Sequence, residues 1–182
     1  CPVEKVVLEK NRVIGIQSKR GFDKFEKIVS TAPLPYLPKM LSDFPKEVLE
    51  SYKKVDNIAV VCVIAKLTKA VSKNFWLNIN DPEIDIPGLV EYSNLRVFES
   101  HIVYASYYMP AEHPKFQQSN QDFQKEFKSY LQKINPALCD EDFLAMHVSR
   151  YQHAQPICTP GFLEKLPPVK LPVVGFWAAD TS

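Results

Sequence analysis

The chain has 182 residues, 46% hydrophobic and 24% charged, which suits one packed domain or a domain with extensions and argues against a long disordered tract. Lys and Arg total 22 against 21 acids, and a net charge of +1 offers no single-signed field for nucleic acid or a polybasic membrane surface. The longest apolar stretch, Ile58 to Ala65, is far short of a membrane span, and no charged-then-apolar leader opens the sequence, so no transmembrane segment is expected.

Fifteen prolines stand against five glycines, and Gly15, Gly21, Gly88, Gly161 and Gly175 are all isolated. A phosphate-cradling loop needs clustered glycine where backbone approaches ligand, and neither GxGxxG nor a P-loop occurs. Cys1, Cys62, Cys139 and Cys158 form no CxxC and lie near no histidine at ligand spacing. Neither a metal nor a disulfide framework is expected, and a reduced, cytoplasmic setting is. The first residue is a cysteine, so the chain is read as a piece of something longer.

In chain order, Val3 to Leu8 and Arg12 to Ser18 read as a hairpin turning at Glu9, Lys10 and Asn11. Gly21 marks a second turn before Lys24 to Ser30, whose Ile28 and Val29 suggest a strand entering a core. Thr31-Ala32-Pro33-Leu34-Pro35 stops that strand, because proline cannot donate to a ladder. After Pro45, Val48, Leu49, Tyr52 and Val55 recur at helical spacing. Asn57 to Thr68 is the strongest strand, with further strands at Asn74 to Asn80 and Ile102 to Tyr108, and a short one at Leu89 to Tyr92. Ser119 and Asp122 form a variant capping box for a helix whose stripe is Phe123, Phe127, Tyr130, Leu131 and Ile134, and Pro136 ends it. A turn at Asp140 to Asp142, a strand at Ala145 to Tyr151, a proline-punctuated segment and an apolar strand at Val173 to Ala179 complete the chain. The pattern predicts an α+β fold with a largely antiparallel sheet. The ends differ: Ile28 to Thr31 and Val173 to Ala179 are short, all-apolar runs of the kind found in a parallel sheet covered on both faces.

The four histidines lack the spacing of a zinc protease, and no nucleophile elbow surrounds Ser30 or Ser72. Asp81, Glu83 and Asp85 alternate without EF-hand spacing and read as a solvated turn. Trp76, Phe75, Tyr92, Tyr104, Tyr107 and Tyr108 read as sheet packing or as the walls of an aromatic pocket.

A distributed set of segments carries more. Pro2-Val3-Glu4-Lys5-Val6, Arg12-Val13-Ile14-Gly15, Gly21, Ile28-Val29-Ser30-Thr31-Ala32-Pro33 and Gly175-Phe176-Trp177-Ala178-Ala179-Asp180 follow one another in an order that resembles the flavin-containing amine oxidase and protoporphyrinogen oxidase group of flavoenzymes. Pro87-Gly88-Leu89-Val90-Glu91-Tyr92-Ser93-Asn94, His101-Ile102-Val103-Tyr104 and Tyr151-Gln152-His153-Ala154-Gln155-Pro156-Ile157 are similar to segments of its protoporphyrinogen-oxidase-like members. The chain departs from that pattern in ending Ala-Ala-Asp, and in lacking both the upstream glycine loop and the downstream glycine segment.

The resemblance implies an FAD-dependent oxidoreductase. Residues 1–33 and 172–182 would be strands of the FAD-binding, Rossmann-like domain, and residues 34–171 the substrate-binding domain. Val3, Thr31, Ala32, Pro33, Ala179 and Asp180 would touch FAD; Glu91, Tyr92, Asn94 and Tyr104 would touch a small-molecule substrate. The residues themselves leave alternatives open: a proline turn at Thr31 to Pro33, a capping aspartate at 180, a polar loop at Glu91 and Asn94. No side chain is singled out as catalytic acid or base. FAD would be held chiefly by a missing N-terminal part of the same chain, so these residues alone are not expected to bind it tightly. The substrate is left open among an amine, a porphyrinogen, a polyene and a sugar nucleotide. The competing expectations are a stand-alone ligand-binding module without catalysis and an interaction domain without a pocket.

Overall fold

A computed structural model describes residues 1–96 and 98–179. Its strands are β1 (Val3–Glu9), β2 (Arg12–Ser18), β3 (Gly21–Lys24), β4 (Ile28–Ser30), β5 (Asn57–Leu67), β6 (Trp76–Asn78), β7 (Gly88–Glu91), β8 (His101–Met109), β9 (Phe143–Pro156) and β10 (Phe176–Ala178). Its helices are α1 (Leu37–Met40), α2 (Lys46–Tyr52), α3 (Asn120–Ile134) and α4 (Phe162–Lys165). The fold is α+β with mostly antiparallel sheets, and it divides into two compact units, Cys1–Asn57 with Gln155–Ser182, and Ile58–Ala154.

In the first unit, β1 and β2 form the expected hairpin. Lys10 and Asn11 both take positive φ, 47° and 61°, which is the backbone of a two-residue type I′ turn matched to the twist of the strands. β3 continues the sheet in the order β1-β2-β3. A Cβ on Gly15 would meet the Asp23 carbonyl at 2.2 Å, so glycine is what lets β3 lie against β2 there. β10 pairs with β4 in parallel, Phe176 opposite Ile28, Trp177 opposite Val29 and Ala178 opposite Ser30. The two apolar chain ends are thus neighbours in one sheet.

Leu34, Leu37, Leu41, Phe44, Val48 and Tyr52 share a core with Val6, Val13, Leu171 and Phe176, and the chain divides into its compact units after Asn57 and Ala154. The strand stops at Ser30 as expected, and the prolines beyond it also start helical turns: Pro33 precedes a 3-10 turn at Leu34–Tyr36, and Pro35 and Pro38 occupy first-turn positions, where a missing N–H is tolerated. One expectation is corrected in this unit. β4 is not buried on both faces, since Ile28 and Ser30 are half-buried and Val29 is 64% exposed.

The second unit is one five-stranded sheet, β6-β7-β8-β5-β9, with α3 across one face. β5 and β8 pair without interruption from Ala59↔Met109 to Leu67↔His101. Alternate residues of β5 and β8, including Val61, Val63, Val103, Ala105 and Tyr107, pack with Phe123, Phe127 and Leu131 of α3. The capping box is present in full: Ser119 Oγ accepts from the Asp122 N–H at 3.1 Å, and Asp122 Oδ2 accepts from the Ser119 N–H at 3.2 Å. No helix among the described residues is long and apolar enough to cross a membrane.

Candidate functional site

Each unit presents a hollow lined by residues that the sequence singles out. In the first, a groove of about 350 Å³ is lined by Val3, Ile28, Val29, Ser30, Thr31, Ala32, Met40 and Phe176 among others. Val3 and the consecutive pair Thr31-Ala32, remote from it in the chain, therefore meet at a single groove. The pairing of β4 with β10 sets a further residue beside that pair: Ala179 N–H donates to the Ser30 carbonyl at 2.9 Å, which brings Ala179 to the end of β4 where Thr31 begins. Pro33 and Ala179 are exposed beside these residues in sequence but do not line the groove. Asp180 lies outside the described residues. The carboxyl ends of parallel strands, where small side chains leave the backbone open, are where open α/β sheets receive cofactors. The groove is apolar and holds no glycine-rich phosphate loop. Its lining suits a ring or an apolar edge rather than a phosphate.

The second unit divides its aromatic residues between two faces. Tyr107, 2% exposed, lies on the core face, edge-on to Phe123 with ring centroids 5.2 Å apart. On the opposite face an unbroken cross-strand row runs Trp76–Val90–Tyr104–Ile64 across β6, β7, β8 and β5. Beside it lie Tyr108, 47% exposed, and the small residues Gly88 and Ser106. Together these form a slot of about 220 Å³ lined by Trp76, Pro87, Gly88, Val90, Tyr104, Ala105, Ser106 and Tyr108. Burial pushes the Tyr104 hydroxyl up, and Cys62, Tyr92 and Tyr108 push it the same way, so it stays neutral at physiological pH.

Glu91 and Asn94 serve the architecture next to that face. Glu91, 2% exposed, accepts from the N–H of Val71 at 2.9 Å, the N–H of Ser72 at 2.7 Å and the Ser72 hydroxyl at 3.2 Å. Asn94 Nδ2 donates to the carbonyls of Ser72 at 3.1 Å and Asn74 at 3.0 Å. The two side chains lock residues 71–74, which lead directly into Phe75 and Trp76. Tyr92 stacks on Phe98 at 5.7 Å. Of the four residues expected at a substrate, Tyr104 alone lines the slot, and Trp76, Ser106 and Tyr108 line it with Tyr104. The signal that could have picked them out is the period-2 alternation of β8, which sets Tyr104, Ser106 and Tyr108 on one face and Tyr107 on the other.

A larger hollow of about 630 Å³ opens at the ends of β7 and β8, lined by Asp85, Tyr107, His113 and Lys115 among others. Its ammonium is already used, with Lys115 Nζ 2.6 Å from Asp85 and 2.9 Å from Glu126. Asp81 and Glu83 are likewise taken by Lys133. Among the described residues no group of three or more His, Cys, Asp or Glu side chains is arranged to hold a metal.

No protein-family model matches the chain. No curated protein matches it either. Its structure does have counterparts. Superposition on an oxidoreductase from Methanosarcina mazei covers 98% of this chain and 43% of that one, with a TM-score of 0.68 at 13% identity. A protein from Exiguobacterium sp. 255-15, provisionally assigned as a protoporphyrinogen oxidase, is matched over 98% of this chain and 41% of its own, with a TM-score of 0.67 at 15% identity. A reduced UDP-galactopyranose mutase is matched over 84% of this chain and 35% of its own, with a TM-score of 0.59 at 16% identity. The chain therefore shares its fold with part of each of these proteins and spans less than half their length.

Proposed function

We propose that the chain is part of an FAD-dependent oxidoreductase of the amine oxidase and protoporphyrinogen oxidase kind, comprising its substrate-binding domain and cofactor-domain strands. The observation that carries this reading is the parallel pairing of β10 with β4, beside which Thr31 and Ala32 line a groove together with Val3. A parallel pair is rarely left as two strands, and the exposed Val29 supports a sheet face that other parts of the parent protein would cover. Val3, Thr31, Ala32, Pro33, Ala179 and Asp180 would hold one part of FAD, and the slot around Tyr104 would hold the substrate. Glu91 and Asn94 would act at one remove, by fixing the loop that carries Trp76. Bound flavin supplies two-electron chemistry. This chain's residues bind, orient and exclude water, and none is assigned a proton. The four free thiols support a cytoplasmic setting.

The test is flavin content. The parent protein should purify yellow, and Thr31→Trp, which fills the groove from an exposed position, should lower its flavin occupancy several-fold. The 182-residue chain alone should be colourless, without saturable quenching of added FAD. A colourless parent would leave a ligand-binding module without catalysis, and a stoichiometrically yellow 182-residue chain would overturn the division of labour.

A further inference from the structure

Trp76 is 57% exposed, yet its one polar atom is satisfied within its own strand, since Nε1–H donates to Asn78 Oδ1 at 2.7 Å. The indole is thereby held in one orientation with no donor left to offer a ligand, and what it presents to the slot is a bare aromatic face. Glu91 and Asn94 reinforce this by locking the loop immediately before it. Tyr104 and Tyr108 bring two further rings, and Gly88 and Ser106 leave the space between the aromatic walls unfilled. Gly88 is also required by the backbone, because a Cβ there would meet the Leu77 carbonyl at 2.6 Å.

The charge of the lining is as telling as its shape. None of its described residues is an acid, a lysine, an arginine or a histidine. An anionic group placed here would lose its hydration without gaining a cation, and an ammonium would find aromatic faces but no carboxylate. At about 220 Å³ the slot is smaller than the roughly 300–1,000 Å³ typical of sites for drug-sized ligands. It suits one planar ring or a fused pair.

We infer that the slot bounded by Trp76, Tyr104 and Tyr108 is a subsite for an uncharged planar ring of the substrate, stacked on Trp76, with any ionised groups of that substrate held elsewhere. This rests on the reading of the exposed sheet face as the substrate wall. It goes further by excluding an amine head or a sugar-nucleotide diphosphate as the group seated here.

The test uses the 182-residue chain and three probes: indole, indole-3-acetate and tetramethylammonium. Backbone NMR shifts at Gly88, Tyr104 and Ser106 report binding. Indole should bind saturably at these residues, with the other two at least about tenfold weaker, as desolvation of an unpaired charge requires. Ser106→Leu should fill the slot and Trp76→Ala remove its wall, each weakening indole about tenfold or more, in line with the loss of a stacking contact and its buried area. The exposed Trp76 keeps the second variant informative should the first misfold. Tighter binding of either charged probe at these residues would overturn the uncharged-ring assignment and leave the face as a substrate wall. Indole binding untouched by both variants would place it outside the slot and overturn the subsite. No saturable shift with any probe would overturn both the subsite and the reading of this face.

Discussion

Phe176 lies edge-on to Phe44, ring centroids 5.0 Å apart and planes at 75°, so the last described strand is anchored by a residue just ahead of α2. Phe176 is 1% exposed and stands in β10 directly opposite Ile28. Truncation to Ala should create a cavity and cost about 3–5 kcal/mol. Chemical denaturation followed at the neighbouring Trp177 should show the loss, and an unchanged midpoint would mean that β10 is not anchored through this ring.

The same reasoning applies to α3 in the other unit. Phe127 is 0% exposed and packs beneath the five-stranded sheet, so Phe127→Ala should destabilise by about 3–5 kcal/mol. A midpoint within error of wild type would show that the stripe is not buried.

Glu91 is expected to be structural at its first contact. Glu91→Gln replaces one acceptor oxygen with an NH2 group that cannot accept, so either the Val71 N–H or the Ser72 N–H loses its partner, at a penalty of about 1–3 kcal/mol for the group left unsatisfied. Hydrogen exchange at one of those two amides should accelerate while the amides of α3 keep their protection. Unchanged exchange at both would remove Glu91 from the support of Trp76.

Asp142 supplies a pH dependence. Its carboxylate accepts from the Thr68 hydroxyl, the N–H and thiol of Cys139, and Lys69 Nζ at 3.0 Å, and these bonds, Thr68's foremost, hold its pKa well below the ordinary carboxylate range. A depressed folded pKa contributes stability that is present in full above the unfolded value, near 4, and is lost as pH falls from there toward the folded value. Asp142→Asn should therefore be less stable than wild type at neutral pH, with the gap narrowing below about pH 4. A gap constant from pH 7 to pH 2 would show that the ionised form is not what ties the turn at Asp140–Asp142 to the end of β5.

What could be read directly from the chain was local. The Lys10-Asn11 turn, the Ser119 and Asp122 box with the Phe123, Phe127 and Leu131 stripe, and the apolar run of β5 are each specified by residues within a few positions of one another, because turn dihedrals, capping bonds and helical periodicity are short-range. The pairing of the two chain ends was legible in composition and through the family resemblance, but its register, Phe176 on Ile28, was not. Nor was the side of the sheet on which each aromatic falls. The alternation of β8 separates Tyr107 from Tyr104 and Tyr108, but a shift of one residue moves every side chain of a strand to the other face, so which of these faces meets α3, and the gathering of Trp76 with Tyr104 and Tyr108, depend on which strands pair and how. Glu91 and Asn94 stood out in the sequence as polar residues in a motif. That they grip the backbone of residues 71–74 was decided only when β7 was laid beside β6, since a carboxylate's partners are set by which N–H groups the tertiary fold leaves without a strand to bind.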